Sequence, residues 1–219
     1  MKKAAFYTLG CKVNQYETEA MAELFADSGY EIKEFTEVAD VYVINTCSVT
    51  NMGDRKSRQI IRRAKKLNPN AVIAVTGCYA QTAPDEVLAI EGVNLVLGTK
   101  DRKNIVTLVE ELNTESNINH VSDIMSNHEF EELQIKQYSN RTRAFIKIQE
   151  GCNQFCSYCI IPYARGPVRS RAKDDVVREI KELAHNGFKE IILVGIHVAS
   201  YGVDLGNTTP ESLIMDVDK

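Results

Sequence analysis

Short apolar runs alternate with amphipathic segments along the first half of the chain. Four runs have strand length and are largely apolar: residues 3–9, 41–45, 71–75 and 95–97. Each is followed by a segment whose apolar side chains recur at helical spacing: residues 15–28, 51–67, 84–90 and 104–112. Near-continuous apolar strands between helices are typical of a parallel sheet covered on both faces. We therefore predict an α/β fold that begins with an open parallel sheet flanked by helices, over residues 1–112.

The pattern changes after this region. Residues 113–140 are polar and have no clear period, which predicts a linker with room for one short strand. A second β/α unit follows, with a strand at 144–149, a helix at 174–186 and a strand at 191–194. One such unit is far short of a closed barrel, which takes about 250 residues. We therefore expect residues 141–219 to be the start of a larger domain.

Composition excludes several classes of protein. Apolar residues make up 44% of the chain and charged residues 26%, which is ordinary for a globular protein. The apolar runs are too short to span a membrane, and the first residues lack the apolar core of a signal peptide. We predict a cytoplasmic protein with no membrane partner. The net charge of −4 gives no overall attraction to nucleic acid, so any RNA contact would need a local basic patch.

Three of the six cysteines come directly after predicted strands. Cys11, Cys47 and Cys78 each follow one of the first three apolar runs. The carboxyl ends of parallel strands lie at one edge of a sheet, where ligands bind, so we expect these thiols to converge on a metal site. The alternative is that they are buried and act as small apolar side chains.

The other three cysteines lie in the segment GCNQFCSYC, as Cys152, Cys156 and Cys159. A closed structural metal site normally has four protein ligands, so three thiols in one loop indicate a metal centre with one open position. A zinc site completed by His185 or His197 is the alternative, although neither histidine lies at zinc-finger spacing.

The C-x3-C-x2-C spacing, with Tyr158 before the last cysteine, resembles the cluster loop of radical S-adenosylmethionine enzymes. Together with the upstream cysteines it resembles the methylthiotransferase family. The segments TLGCKVNQYETE, INTCSVT and GCNQFCSYCIIPYARGPVRSR are similar to the branch that acts on threonylcarbamoyladenosine in tRNA. The resemblance covers residues 1–205 and implies that 141–219 begins a partial (β/α) radical-SAM barrel. The rest of that barrel and the family's C-terminal RNA-binding domain have no counterpart here, so we expect this chain alone to be inactive.

The resemblance implies two [4Fe–4S] clusters and S-adenosylmethionine as cofactors. Cys11, Cys47 and Cys78 would hold one cluster. Cys152, Cys156 and Cys159 would hold the other, whose open iron binds S-adenosylmethionine. The implied reaction places sulfur and a methyl group at C2 of the modified adenosine 3′ of the anticodon. It needs tRNA, an external electron donor and a sulfur donor, and it assigns no catalytic side chain beyond the cluster ligands.

Further residues are candidates for cofactor and substrate contacts. Tyr158 and Gly195 are expected to contact S-adenosylmethionine, with plain packing as the alternative for Tyr158. Six arginines are candidates for RNA or substrate contact: Arg55, Arg58 and Arg62 on the polar face of the 51–67 helix, and Arg165, Arg169 and Arg171 after the cysteine loop. A guanidinium can hold a phosphate or a carboxylate with two hydrogen bonds. A solvated face is the alternative for the helix.

Two other functions fit the sequence. The first keeps the family but changes the substrate to isopentenyladenosine in tRNA or to an aspartate of a ribosomal protein. The second is a non-catalytic RNA-binding module stabilised by a metal, which would bind zinc rather than iron and sulfide.

Overall fold

The computed structural model describes residues 1–48, 51–112, 115–133, 135 and 143–217, apart from the side chains of residues 51 and 52. The strands in these ranges are β1 (Lys3–Thr8), β2 (Glu31–Lys33), β3 (Val41–Thr46), β4 (Val72–Gly77), β5 (Leu95–Leu97), β6 (Ile118–His120), β7 (Arg143–Glu150), β8 (Arg169–Ser170) and β9 (Glu190–Gly195). The helices are α1 (Lys12–Asp27), α2 (Asn51–Leu67), α3 (Cys78–Thr82), α4 (Pro84–Leu88), α5 (Ile105–Glu110), α6 (Ile161–Arg165), α7 (Lys173–His185) and α8 (Pro210–Val217). The order confirms the predicted α/β class. No helix in the described ranges has both the length and the apolar character needed to cross a membrane.

The first sheet has six strands in the order β2-β1-β3-β4-β5-β6, and every pairing is parallel. The four apolar runs of the sequence form β1, β3, β4 and β5. The edge strand β2 was not predicted, and for β6 the sequence indicated only room for one short strand within 113–140, because each of these strands has three residues and none of them is buried. β6 lies within 113–140, the segment predicted to be a linker, and it pairs with β5.

Alternate residues of the strands face opposite sides of this sheet, as the period of two requires. Ala5, Tyr42 and Ile73 pack with α2, α3 and α4 on one face. Val41 and Val43 pack with α1 and α5 on the other face. Apolar burial on both faces explains why the central strands read as continuous apolar runs.

The strand order reverses between β1 and β3, which are neighbours although β2 separates them in sequence. From β1 the chain crosses to β2 on one side, and all later strands of this sheet lie on the other side. In open α/β sheets, ligands bind at the carboxyl ends of the two strands where the order reverses. The fold therefore marks the ends of β1 and β3 as a binding crevice.

The second sheet has the order β8-β7-β9 and contains the predicted strand–helix–strand unit. β7 and β9 are parallel and α7 packs on them through Val176, Ile180 and Leu183. Helix α1 joins the two sheets, because its residues Val13 and Tyr16 pack against Phe145 and Val194 of the second sheet.

Candidate metal centres

The first three cysteines lie where β1, β3 and β4 end. Cys11 precedes α1, Cys47 follows β3, and Cys78 is the first residue of α3. Gly10 has φ +112°, and a Cβ added to it would stand 3.2 Å from the Cys47 Sγ atom. The end of β1 therefore approaches the Cys47 thiol closely. Cys47 is also near enough to Cys78 to influence the pKa of the Cys78 thiol.

Gly77 brings the ends of β3 and β4 together. Its φ is +96°, and an added Cβ would lie 2.4 Å from the Thr46 carbonyl oxygen. A residue with a side chain could adopt neither this conformation nor this approach without strain. The glycine thus fixes Cys78 beside the end of the neighbouring strand.

The Cys78 thiol is buried and has a cationic partner. Cys78 is 4% exposed, and the Arg165 Nε atom donates a hydrogen bond to the Cys78 Sγ atom at 3.3 Å. Burial raises the pKa of this thiol, and the Arg165 guanidinium opposes that rise. The thiolate is the form of cysteine that binds metals, so a buried thiol facing a guanidinium suits a ligand role.

The second cysteine loop follows β7, its first residues lie against Gly166 and Pro167, and its last cysteine closes a turn within the loop. Gly151 has φ +75°, and an added Cβ would lie 1.8 Å from the Pro167 carbonyl oxygen. The Cys152 amide donates to the Gly166 carbonyl at 3.0 Å, and the Cys159 amide donates to the Cys156 carbonyl at 2.9 Å. Cys156 is exposed and the other two thiols are half-buried, which leaves this loop open to a ligand from solution.

The two residues proposed to contact S-adenosylmethionine lie in different settings. Tyr158 is 91% exposed, so its ring has no place in a core. Gly195 ends β9, and a Cβ there would stand 2.9 Å from the Gln149 Oε1 atom. The backbone of Gly195 is thus in close contact with β7, and contact of either residue with the cofactor stays a prediction.

The positions of the described side chains do not support a site for a single metal ion. Among the described residues, no three histidine, cysteine, aspartate or glutamate side chains are arranged to hold one metal ion. The three thiolates of a four-iron cluster each bind a different iron, so they stand farther apart than the ligands of one ion. The fit to a cluster therefore rests on the placement of the strand ends, the glycines and Arg165.

A buried network of charged side chains lies between the two cysteine sites. The Arg165 Nη1 atom donates to Glu17 at 2.6 Å and to Glu150 at 2.8 Å. Arg102 lies 2.6 Å from Glu17, and Lys147 lies 3.0 Å from Glu150. All five side chains are at most 1% exposed. Glu17 belongs to α1 and Glu150 is the last residue of β7, so the network joins the two sheets.

The cations keep both carboxylates ionised. Burial alone would raise the pKa of Glu17, but Arg102, followed by Arg165 and Lys147, lowers it to about 2. Burial also opposes ionisation of Glu150, yet Lys147, Arg102 and Arg165 hold its pKa well below the ordinary value. Burial disfavours a charged guanidinium too, and the Cys78 thiol and the two carboxylates outweigh this and raise the pKa of Arg165.

The arginines predicted to follow the cysteine loop are buried in contacts within the chain. Besides its bonds to the two glutamates and Cys78, Arg165 donates from Nη2 to Asn14 Oδ1 at 2.5 Å. Arg171 pairs with Glu132 at 2.9 Å and with Glu179. Arg169 donates to the Asn127 and Pro167 carbonyls at 3.3 Å and 3.1 Å. Substrate binding by these arginines stays a prediction.

The arginines predicted on α2 differ in exposure. Arg55 and Arg62 are exposed, whereas Arg58 is half-buried and donates to the Tyr79 hydroxyl at 2.8 Å. The structure thus separates these α2 residues from Arg165, Arg169 and Arg171, which lie in the interior. RNA contact by α2 also stays a prediction.

Sequence reasoning missed the carboxylates of the buried network. Glu17 lies one turn after Val13 and one turn before Ala20, and all three are buried. An acidic residue on the apolar stripe of a helix was the available signal. Glu150 gave a weaker signal, as the one acidic residue of a strand that is otherwise apolar at alternate positions.

Comparison with known proteins identifies both halves of the chain. Residues 3–98 match Uncharacterized protein family UPF0004, and residues 146–206 match the Radical SAM superfamily. A Threonylcarbamoyladenosine tRNA methylthiotransferase MtaB of Bacillus subtilis is 52% identical over 219 residues, which is 100% of this chain and 49% of the relative. The protein of the same name from Aquifex aeolicus is 44% identical, over 93% of this chain and 50% of the relative.

A third relative carries another name. The tRNA-2-methylthio-N(6)-dimethylallyladenosine synthase of Dictyoglomus thermophilum is 34% identical over 100% of this chain and 50% of the relative. The chain spans about half the length of these curated relatives.

The second match makes the chain a radical S-adenosylmethionine protein, a class that uses S-adenosylmethionine and a [4Fe–4S] cluster. Both matches together, with the relatives, show that it belongs to the methylthiotransferase family of that superfamily. The resemblance found in its cysteine motifs is thereby confirmed.

Proposed function

We propose that the protein acts as a methylthiotransferase on N6-threonylcarbamoyladenosine beside the anticodon of tRNA, and adds sulfur and a methyl group at C2. The observation that carries this proposal is the 52% identity, along the whole of this chain, to a relative named for that reaction. The dimethylallyladenosine relative is 34% identical, which makes isopentenyladenosine the weaker substrate hypothesis.

The target explains why cofactors are needed. The C2–H bond of adenine is neither acidic nor electrophilic enough for acid–base or nucleophilic chemistry by side chains, so S-adenosylmethionine and iron–sulfur clusters would supply the radical chemistry. Cys152, Cys156 and Cys159 would hold the cluster that binds S-adenosylmethionine. The exposure of this loop and of Tyr158 supports that assignment.

The second cluster would be held by Cys11, Cys47 and Cys78. Their places at the ends of three adjacent strands, next to the point where the strand order reverses, support a ligand site there. The guanidinium at the Cys78 sulfur supports an anionic group in particular. The role of the chain at this site is to hold and surround the cluster, since no side chain beyond the ligands is assigned to the chemistry.

The proposed partners are tRNA, an electron donor and a sulfur donor. Of the six candidate arginines, Arg55 and Arg62 have the exposure that a phosphate contact requires. The ion pairs of Arg165 and Arg171 support a role inside the protein instead. We therefore propose that tRNA contacts the outer face of α2.

The first test is iron and acid-labile sulfide per chain after anaerobic reconstitution. Two four-iron clusters give about eight irons with matching sulfide. Cys47→Ala and Cys156→Ala form a matched pair, and each should lower iron to about half because each removes a ligand of a different cluster. Loss of all iron in either variant would contradict independent clusters, and zinc without sulfide would favour the binding module.

The substrate is tested with the protein at its natural length. It would be expressed in a bacterial strain that lacks its own enzyme for this modification, and tRNA nucleosides would be analysed by mass spectrometry. The proposal predicts the 2-methylthio form of threonylcarbamoyladenosine. Methylthiolation of isopentenyladenosine alone would instead establish the other substrate.

A further inference from the structure

We propose that Arg165 sets the reduction potential of the cluster on Cys11, Cys47 and Cys78 through its hydrogen bond to the Cys78 sulfur. Glu17 and Glu150 hold the guanidinium in place for this purpose. The inference rests on the proposed function in one respect, which is that these three cysteines hold a cluster. It makes Arg165 a positioning residue that acts on a cluster ligand and not on the substrate.

The geometry leaves Arg165 no freedom to turn away. Its Nε atom faces the Cys78 Sγ atom at 3.3 Å, while Nη1 bonds Glu17 and Glu150 and Nη2 bonds Asn14. The planar guanidinium presents its donors in fixed directions, so the carboxylates that bind its far end aim its Nε–H at the sulfur. The side chain is fully buried, which excludes competition from water.

The contact joins two parts of the chain. Cys78 begins α3 beside the first sheet, whereas Arg165 ends α6, after the second cysteine loop. Glu150 completes the link, because it bonds Arg165 and stands two residues before Cys152. The environment of the first cluster therefore depends on the segment that carries the second.

The direction of the effect follows from electrostatics. One-electron reduction by an external donor adds negative charge to a cluster and its thiolates. A hydrogen bond or positive charge at a ligand sulfur stabilises the reduced form and raises the potential. Loss of the Arg165 contact should therefore make the potential more negative.

Arg165→Lys is the informative substitution, because lysine keeps a charge for the carboxylates but has no second donor fixed toward the sulfur. Arg165→Met would leave two buried carboxylates short of a cation and would endanger folding. Arg102→Lys is the matched control. Arg102 is equally buried and pairs with Glu17 and Glu150 as well, and among the described residues it makes no hydrogen bond to a cysteine sulfur.

Both variants are made in chains whose Cys152, Cys156 and Cys159 are replaced by alanine, so that one cluster can form. The midpoint potential is read from the electron paramagnetic resonance signal of the reduced cluster at a series of set potentials. We expect Arg165→Lys to lower the equilibrium constant for reduction of the cluster about tenfold. For one electron this makes the midpoint potential about 59 mV more negative. Arg102→Lys should leave the potential near that of the parent.

Equal potentials in Arg165→Lys and its parent, or equal shifts in both variants, would overturn the inference. Failure of the proposed function is visible separately, because a parent chain that binds no iron and sulfide has no cluster at these cysteines. A second measurement needs no substitution at Arg165. With ¹⁵N-labelled arginine, pulsed electron paramagnetic resonance should detect one nitrogen coupled to the reduced cluster, and the absence of that coupling would also refute the contact.

Discussion

Glu17→Gln removes one of the two buried carboxylates on which the charge network depends. Glutamine has nearly the same shape, so the change tests charge with little effect on packing. After it, Arg102, Arg165 and Lys147 would share Glu150 as their fully buried anion, and Arg102 would keep its pairing with Glu131. Glu17 itself is fully buried, so no water would replace the lost partner.

Two estimates of the cost agree. The pKa of Glu17 falls from 4.5 to about 2 in the folded chain, which corresponds to about 3 kcal/mol, since a tenfold change in proton affinity is worth about 1.4 kcal/mol. Removing one partner from a buried ion pair costs about 3–5 kcal/mol in proteins. We expect Glu17→Gln to lower the free energy of unfolding at pH 7 by about 3 kcal/mol.

Urea unfolding followed by circular dichroism measures this loss. With a slope of about 2 kcal/mol per molar urea, the midpoint should fall by about 1.5 M. Glu111→Gln is the matched control, because Glu111 is exposed and its loss should cost less than about 0.5 kcal/mol. A Glu17 variant as stable as this control would refute the ion-pair reasoning.

The pH dependence separates charge from packing. Because the folded pKa of Glu17 is depressed, its contribution is fully present above pH 4.5, the ordinary pKa, and is lost as pH falls toward the folded value of about 2. The difference in the free energy of unfolding between the parent and Glu17→Gln should therefore be constant at neutral pH. It should become progressively smaller below pH 4.5. A difference that stays constant down to pH 3 would show that the loss comes from packing.

Two further substitutions test the loop and the second sheet. Gly151→Ala should abolish iron binding by the second cysteine loop, because the new Cβ would stand 1.8 Å from the Pro167 carbonyl oxygen. Gly187→Ala is the matched control. Gly187 also has a positive φ but no atom within 4 Å of an added Cβ, so this variant should retain iron. Equal iron in the two variants would contradict the steric argument. Tyr201→Phe removes a buried hydroxyl that donates to the Arg171 carbonyl at 3.0 Å, and whose pKa burial raises to about 12. Its loss should cost about 1 kcal/mol in urea unfolding, and a cost above about 3 kcal/mol would mean that more than one hydrogen bond depends on it.

The central strands could be predicted from sequence because burial on both faces leaves a signal in each strand by itself. Residues 41–45 and 71–75 are apolar at almost every position, and they form the middle of the first sheet. The edge strands Glu31–Lys33 and Ile118–His120 have three residues each and none of them is buried, so neither strand leaves a run of apolar residues in the sequence. The second of them lies within 113–140, the segment predicted to be a linker with room for one short strand.

The candidate site also has one part that could be predicted from sequence and one part that could not. The common location of Cys11, Cys47 and Cys78 at one edge of the sheet followed from their positions after three predicted strands and from the geometry of parallel sheets. The inward direction of Arg165 did not, because its partner Glu17 is 148 residues away in sequence. In the sequence alone, the arginines of ARGPVRSR resemble a basic patch on the surface. Their acidic partners lie on α1, β7 and α7, outside this segment, so the sequence does not show that these arginines are buried.

The buried network has one more cation than carboxylates, and the Cys78 thiol lies beside it. Among the described residues it contains three cations, Arg102, Lys147 and Arg165, and two carboxylates, Glu17 and Glu150. An unbalanced buried charge is costly, and Cys78, which accepts a hydrogen bond from Arg165, would balance the excess cation as a thiolate. Buried ion pairs seldom stabilise a fold more than apolar side chains of the same size would. We therefore propose that the arrangement serves a thiolate at Cys78, and Arg165→Lys and Arg102→Lys are designed to test that relation.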